Sequence, residues 1–197
     1  MHPKVYQEFE KICSEWNICG SVLEVGATPD DSSLLNMKSV KGAKEKIGIN
    51  LDGPYTYKDF SILKGNANSM TCFEDNRFDV VLCNSVLEHD KYFWKTISEI
   101  RRVARSGGLI VIGTPGYTSV PLKRYFKGFF SKIPLLFCLK NSDLKGFSAT
   151  LCVHNYPGDY YRFSPQTFKE VFFEGLKDVN TRTIMLPPRI IGYGIKP

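Results

Sequence analysis

Four short segments carry residues whose types and spacing suit ligand chemistry, and each falls where an apolar run stops. Val22-Leu-Glu24-Val runs into Gly26, and a glycine there lets backbone approach a ligand with no Cβ in the way. A dinucleotide pyrophosphate would want G-x-G-x-x-G and no facing acid, but the next positions hold Ala27, Thr28, Pro29 and Asp30. Glu24, two residues before the turn, suits a cationic ligand instead; otherwise it is a polar residue at a strand mouth. Ile47-Gly-Ile-Asn50-Leu-Asp52 offers acceptors for a ribose diol, or a plain turn with Gly53 and Pro54. Gly65-Asn66-Ala67-Asn68 could pair with the edge of an adenine and Met70 could pack on its face; the alternative is an amide-rich surface loop. The fourth segment, Leu82-Cys-Asn84-Ser85-Val-Leu-Glu88-His89, ends in two ionisable groups that serve as acid or base at a cleft, or pin the next helix.

A fifth stretch, His154-Asn-Tyr156-Pro-Gly-Asp159-Tyr160-Tyr161-Arg162-Phe163, is dense in aromatic and hydrogen-bonding groups. His154 is a candidate general base, Arg162 a clamp for a carboxylate or phosphate, and Tyr156 and Tyr160 stacking surfaces for a substrate. The competing reading is structural, with Asp159 paired to Arg162 and the tyrosines filling a sheet edge.

Regular elements must position these groups. Pro3 to Trp16 has a helical period in Val5, Phe9, Ile12 and Trp16. Strands are expected at Ser21–Val25, Lys46–Leu51, Ser61–Gly65, Phe78–Asn84, Leu109–Gly113, Val179–Met185 and Ile190–Ile195. Phe78–Asn84 is almost continuously apolar, as a strand covered on both faces should be. A short helix capped by Asp30 or Asp31 carries Leu34, Leu35 and Met37. Lys91 to Val103 is helical, Gly107-Gly108 makes a turn, and Ser164-Pro165 opens a last helix through Phe168, Val171 and Phe172. Strands alternating with helices imply a mostly parallel, doubly wound α/β sheet. Ligand then lies beyond the carboxyl ends of the strands.

The bounds agree. A chain of 197 residues, 43% hydrophobic and 23% charged, builds one core and reads as a single domain over 1–197. No apolar run approaches the roughly 20 residues of a membrane span, and the polar start does not read as a signal peptide. Six cysteines without a C-x-x-C pair are expected as buried thiols of a reducing, cytoplasmic compartment. The three histidines stand at no ligand-like spacing to them, so no metal site is expected. Net charge is +6, and six bases between Tyr117 and Thr150, opposed by Asp143 alone, carry nearly all of it. Residues 120–140 could rest on an anionic membrane surface. Gly128 and Pro134 interrupt a long amphipathic helix, so 117–163 is read as an insert forming a lid over the acceptor site.

Taken in order, Val-Leu-Glu-Val-Gly, Ile-Gly-Ile-Asn, Gly-Asn-Ala-Asn with Arg-Phe-Asp-Val-Val-Leu-Cys-Asn-Ser-Val-Leu-Glu-His, and Arg-Val-Ala-Arg-Ser-Gly-Gly-Leu-Ile-Val-Ile resemble class I S-adenosylmethionine-dependent methyltransferases of type 11. The resemblance covers about residues 20–116. It implies a Rossmann-like, seven-stranded sheet, mostly parallel with an antiparallel last strand and helices on both faces. It implies S-adenosyl-L-methionine as cofactor, bound by Glu24, Gly26, Asn50, Asp52, Asn66, Ala67, Asn84 and Ser85. Methyl transfer to a small-molecule or glycan-like acceptor follows, with His154 and His89 as catalytic candidates and Tyr156, Tyr160 and Arg162 on the substrate. Asn50 and Asn66 stand where the family carries acids, and a lost charge-assisted acceptor weakens binding by about 1 kcal/mol. A catalytically silent cofactor-binding or scaffold protein is therefore the alternative. Nucleic acid is disfavoured as acceptor, because the Asn/Asp-Pro-Pro-Tyr tetrapeptide of base methylation is absent. The failed dinucleotide fingerprint disfavours an oxidoreductase. Oligomeric state is left open.

Overall fold

The fold is built outward from β5 (Phe78–Asn84), the most apolar strand. Its side chains alternate between two cores, with Val80 and Leu82 on one face and Val81 and Cys83 on the other. The computed structural model describes residues 1–121, 146–149, 158–185 and 187–197. Parallel to β5 run β1 (Ser21–Val25) on one side and β6 (Ala104–Pro115) on the other. Beyond β1 lie β2 (Glu45–Asn50) and β4 (Phe60–Lys64), both parallel, with β3 (Tyr55–Tyr57) antiparallel at the edge. Beyond β6, β10 (Arg189–Ile195) inserts antiparallel, and β9 (Lys177–Ile184) closes the sheet beside it. The order is β3-β4-β2-β1-β5-β6-β10-β9. A separate hairpin pairs β7 (Thr118–Pro121) with β8 (Gly146–Ala149).

The mostly parallel sheet with an antiparallel last strand is as expected, but it has eight strands rather than seven. The extra strand, β3, is three residues long and folds back through Lys58 at φ 51. No glycine or asparagine marks that left-handed position, so the usual hairpin signal is missing.

Helices cover both faces. α1 (Pro3–Ser14) buries Val5, Phe9, Ile12 and Cys13 against the face carrying Val80, Leu82, Leu109 and Val111. It stops before Trp16, which is 37% exposed while Ile18 takes the buried place. α2 (Phe93–Val103) covers the other face through Thr96, Ile97, Ile100 and Val103. Asp30 binds the backbone of Ser32 instead of capping a helix, and Ser33 caps a 3₁₀ turn over Leu34–Asn36. Ser164 does cap α3 (Pro165–Thr167), whose Thr167 N–H it receives at 3.0 Å. The chain continues as a π turn over Phe168–Phe172. That wider turn brings Phe168, Phe172 and Phe173 together into the core and turns Val171 outward, against the expectation of a regular helical face. Gly107-Gly108, expected as a turn, lies within the long β6 where its pairing with β5 shifts register.

Arg102 on α2 fastens the loop after β4. Its guanidinium donates to the carbonyls of Met70 and Phe73, each at 2.9 Å, and to the carboxylates of Glu99 and Asp75, each at 2.7 Å at the nearest approach. Arg102→Met removes all four, and should lower unfolding free energy by about 2 kcal/mol in urea denaturation. A loss below about 0.5 kcal/mol would show that these bonds are matched by water in the unfolded chain.

Candidate functional site

Connections leave β1 in one direction and β5 in the other, so a crevice opens beyond their carboxyl ends. A cleft of about 520 Å³ occupies it, lined by the ends of β1 and β2 and by the loops that follow β1, β2, β4 and β5. That volume suits a ligand of nucleoside size or somewhat larger.

Gly26 turns the chain out of β1 at φ 81, and its N–H donates to the Ile49 carbonyl at 2.8 Å. A Cβ there would stand 2.3 Å from Val86 Cγ2 in the opposite wall. Asn50 ends β2. Its amide NH₂ donates to the Ala27 carbonyl at 2.7 Å, which orients the side chain and leaves its oxygen as the acceptor. Asn66 Oδ1 receives the N–H of Asn68 at 2.9 Å, closing the loop after β4 on itself. Ser85 follows β5 in the left-handed region, φ 55, and its N–H donates to the Gly113 carbonyl at 2.9 Å. A non-glycine residue in that conformation costs roughly 1–2 kcal/mol and marks a turn held by its surroundings.

Of the residues singled out in the sequence, Gly26, Asn50, Asn66, Ala67, Ser85, His89 and Tyr160 line this one cleft. Several do not. Glu24 is buried under the Leu34–Asn36 turn, where its carboxylate receives the Ser33 hydroxyl and the Leu35 N–H. Burial pushes its pKa up to about 7, against the lowering by Ser33 and the turn amides. It braces the first loop rather than facing a ligand. Asp52 is exposed beyond β2, and its contribution is an N–H turned toward Asn50 Oδ1. Asn84 points to the α1 face, within 2.7 Å of where a Gly113 side chain would begin. Met70 is fully buried and cannot lie on a base. Arg162 forms a two-bond pair with Asp159, the structural alternative for that stretch, and is not in the cleft wall. His154, Tyr156 and the 120–140 segment lie outside the described residues, as does most of the 117–163 insert. No helix among the described residues is long and apolar enough to cross a membrane.

Sequence reasoning missed Asp90, Lys91 and Arg189. Asp90 and Lys91 line the cleft directly after His89. Asp90 Oδ2 receives the Asn68 amide at 2.6 Å and the Thr96 hydroxyl at 2.7 Å, tying the loop after β4 to α2. Their position on the loop after β5 was a usable signal. Arg189 starts β10 and donates to the Ser85 hydroxyl at 3.3 Å, a contact made by strand insertion across 104 positions.

The geometry revises one expectation. Replacing Asn50 by the family's acid would set a carboxylate oxygen against the Ala27 carbonyl at the present 2.7 Å separation. Asn50→Asp should therefore weaken S-adenosylhomocysteine binding by about tenfold, although a carboxylate is the stronger ribose acceptor. Calorimetry decides it, and tighter binding in the variant would overturn the reading.

Known proteins place the chain. Residues 31–112 match the family profile described as a methyltransferase domain, of type 11. An uncharacterised protein of Methanocaldococcus jannaschii is 35% identical over 99 residues, which are 49% of this chain and 40% of that one. Among solved structures, phosphoethanolamine N-methyltransferase 2 of Haemonchus contortus, with phosphomonomethylethanolamine and S-adenosylhomocysteine, aligns at a TM-score of 0.64 and 12% identity, covering 99% of this chain and 53% of that one. The 1,6-didemethyltoxoflavin-N1-methyltransferase of Burkholderia thailandensis, with 1,6-didemethyltoxoflavin and S-adenosylhomocysteine, aligns at 0.65 and 14%, covering 97% and 77%. At such identities the structural likeness is one of fold, and the chain spans only about half the length of the first of these structures and less of the curated relative. The profile match over residues 31–112 and the strand order agree: the chain carries its similarity to the methyltransferase domain on a fold shared with solved methyltransferases.

Proposed function

We propose that this chain binds S-adenosylmethionine in the cleft between β1 and β5 and transfers its methyl group to a small-molecule or glycan-like acceptor. The observation that carries the reading is the convergence of Gly26, Asn50, Asn66 and Ser85 on one cleft at the topological switch point. The absent Cβ at Gly26 leaves the space through which a ligand can meet the loop backbone. Asn50 Oδ1 would accept from a ribose hydroxyl, and the backbone of Asn66 and Ala67 would border the base. When bound, the cofactor supplies an electrophilic methyl group on a sulfonium that is already a good leaving group.

The chain's own task is then to align the acceptor and receive its proton. His89 in the cleft wall is the described candidate for that proton, and His154 is a second candidate outside the described residues. Tyr160, more than half exposed at the cleft rim, offers a stacking surface. The small molecules in the two related structures support an acceptor of that size. Calorimetry with S-adenosylhomocysteine tests the proposal, and no heat at millimolar ligand would reject it. A silent binding protein is favoured by the turned-away Glu24 and the amides at positions 50 and 66. Binding without turnover across acceptor panels would select it.

A further inference from the structure

The carboxyl of Glu88 lies outside the cleft lining, directly before His89 in the sequence. It is 0% exposed, and neither oxygen has a hydrogen-bond partner among the described residues. An unsatisfied buried acceptor costs about 1–3 kcal/mol, so one this complete calls for an account. Its surroundings are charged rather than apolar. Arg189 Nη1 lies 3.9 Å from Oε1 on the side of β10. His89 Nε2 lies 3.9 Å from the same oxygen. Arg162 and Asp159, paired with each other, act on it from the segment before α3, and Cys83 feels it from β5. The backbone is fixed too, since the Glu88 carbonyl receives the N–H groups of Tyr160 at 2.8 Å and Tyr161 at 3.2 Å. Glu88 thus sits behind the cleft wall, flanked by His89, which lines the cleft, and by Arg189, which holds the wall residue Ser85.

We propose that Glu88 is a positioning residue that acts through His89, setting how tightly the imidazole holds a proton, so that the acceptor is an amine or hydroxyl that loses its proton as it is methylated. The inference rests on the methyl-transfer reading. The acceptor atom forms its bond to the methyl carbon as the carbon–sulfur bond breaks and its electron pair goes to sulfur. The acceptor's proton passes to His89, and the new imidazolium faces the Glu88 carboxylate. Burial pushes Glu88 up to about 7, with Arg189 and Arg162 opposing the rise, so its charge is gained where a histidine also titrates. Asp90 and Lys91, the other charged groups lining that cleft, carry opposite signs. A thioether or other acceptor with no proton to lose would need no such pair.

The test needs no acceptor. The chain has three histidines, so His89 ring resonances can be assigned with a His89→Gln control and titrated by NMR in the protein alone. In the wild type, the coupled pair should give a two-step curve. In Glu88→Gln the upper step should vanish and the midpoint fall by about one pH unit, a roughly tenfold loss of proton affinity. Glu88→Asp, which keeps the charge, should retain the two steps. An unchanged curve in Glu88→Gln overturns the proposal, as does an Asp variant that behaves like the Gln variant. S-adenosylhomocysteine should bind Glu88→Gln within about twofold of wild type, because Glu88 does not reach the cleft; a tenfold loss would make it part of the cofactor cradle and overturn the proposal. Failure of the wild type to bind would instead remove the methyl-transfer reading while leaving the His89 coupling measured.

Discussion

Gly26→Ala is expected to lose S-adenosylhomocysteine binding by at least a hundredfold while the protein stays folded. Two effects act at one atom. The position has φ 81, where an alanine costs roughly 1 kcal/mol or more. The added methyl would also lie 2.3 Å from Val86 Cγ2. Val86 cannot swing aside cheaply, because valine is stiff at χ1 and its backbone follows the left-handed Ser85. Either its side chain turns into the cleft or the first loop shifts, and both disturb the surface a ligand must meet. A hundredfold loss is about 2.7 kcal/mol, within reach of the combined clash and strain. Gly175 provides the control. It has φ 73, and a Cβ there meets nothing within 4 Å. Gly175→Ala should cost about 1 kcal/mol of stability in thermal melts and leave binding unchanged. If Gly26→Ala binds as the wild type does, the cofactor does not lie against this turn.

The contrast between strands shows what kind of signal a sequence carries. β5 and β10 were legible because a strand buried on both faces is written as a nearly continuous apolar run. β3 was not, since three half-exposed residues with a Lys-Asp turn have no periodicity to detect. The register shift where β6 begins escaped for another reason. Gly107-Gly108 reads as a turn locally, and only the pairing of Phe78 with Ala104 draws the chain before it into the sheet. Trp16 and Val171 fit a helical period that the tertiary fold cuts short or rewinds.

At the site, backbone-determined features were read well and side-chain directions were not. Glycine after β1 and amides after β2 and β4 mark strand ends, which the sheet brings together whatever the side chains do. Glu24 and Asn84 fail by parity. Along β1, Leu23 and Val25 share the α2 face, so Glu24 must share the α1 face with Val22. Along β5, Asn84 follows Val80 and Leu82 to that same face. The alternation was visible, but which face borders the cleft is settled only by where α1 and α2 pack. Arg189 and the isolation of Glu88 were beyond reach, because they arise where β10 inserts beside β6.

The same two buried carboxyls make the protein more stable in mild acid than above neutrality. Burial raises both Glu24 and Glu88 to about 7 in the folded state, against about 4.5 when unfolded. Between those values the folded chain holds protons that the unfolded chain has released, so unfolding free energy falls as pH rises. The fall begins near the unfolded value and is complete once pH passes the folded one. At 1.36 kcal/mol per unit, each carboxyl costs on the order of 3 kcal/mol when fully ionised. Other acids act with the opposite sign at lower pH. Arg102 holds Glu99 below its ordinary value, and the Ser21 N–H and Arg105 hold Asp79 down despite burial. Their stabilisation is lost as pH drops through the folded values, which places the maximum near pH 5. Urea denaturation at about pH 5 and about pH 8 should therefore differ by several kcal/mol, with the higher midpoint in acid. Glu24→Gln and Glu88→Gln should each remove about half of the difference, because a neutral amide has no ionisation to resist. Glu24→Gln keeps an oxygen for the Ser33 hydroxyl and the Leu35 N–H, so its loss at about pH 5 should be small. A double variant that retains the wild-type slope would mean that both carboxyls ionise freely in the folded protein. Persistence of that cost in the wild type is what a chemical use for the Glu88 charge would explain, since a glutamine of the same shape would fold more stably at neutral pH.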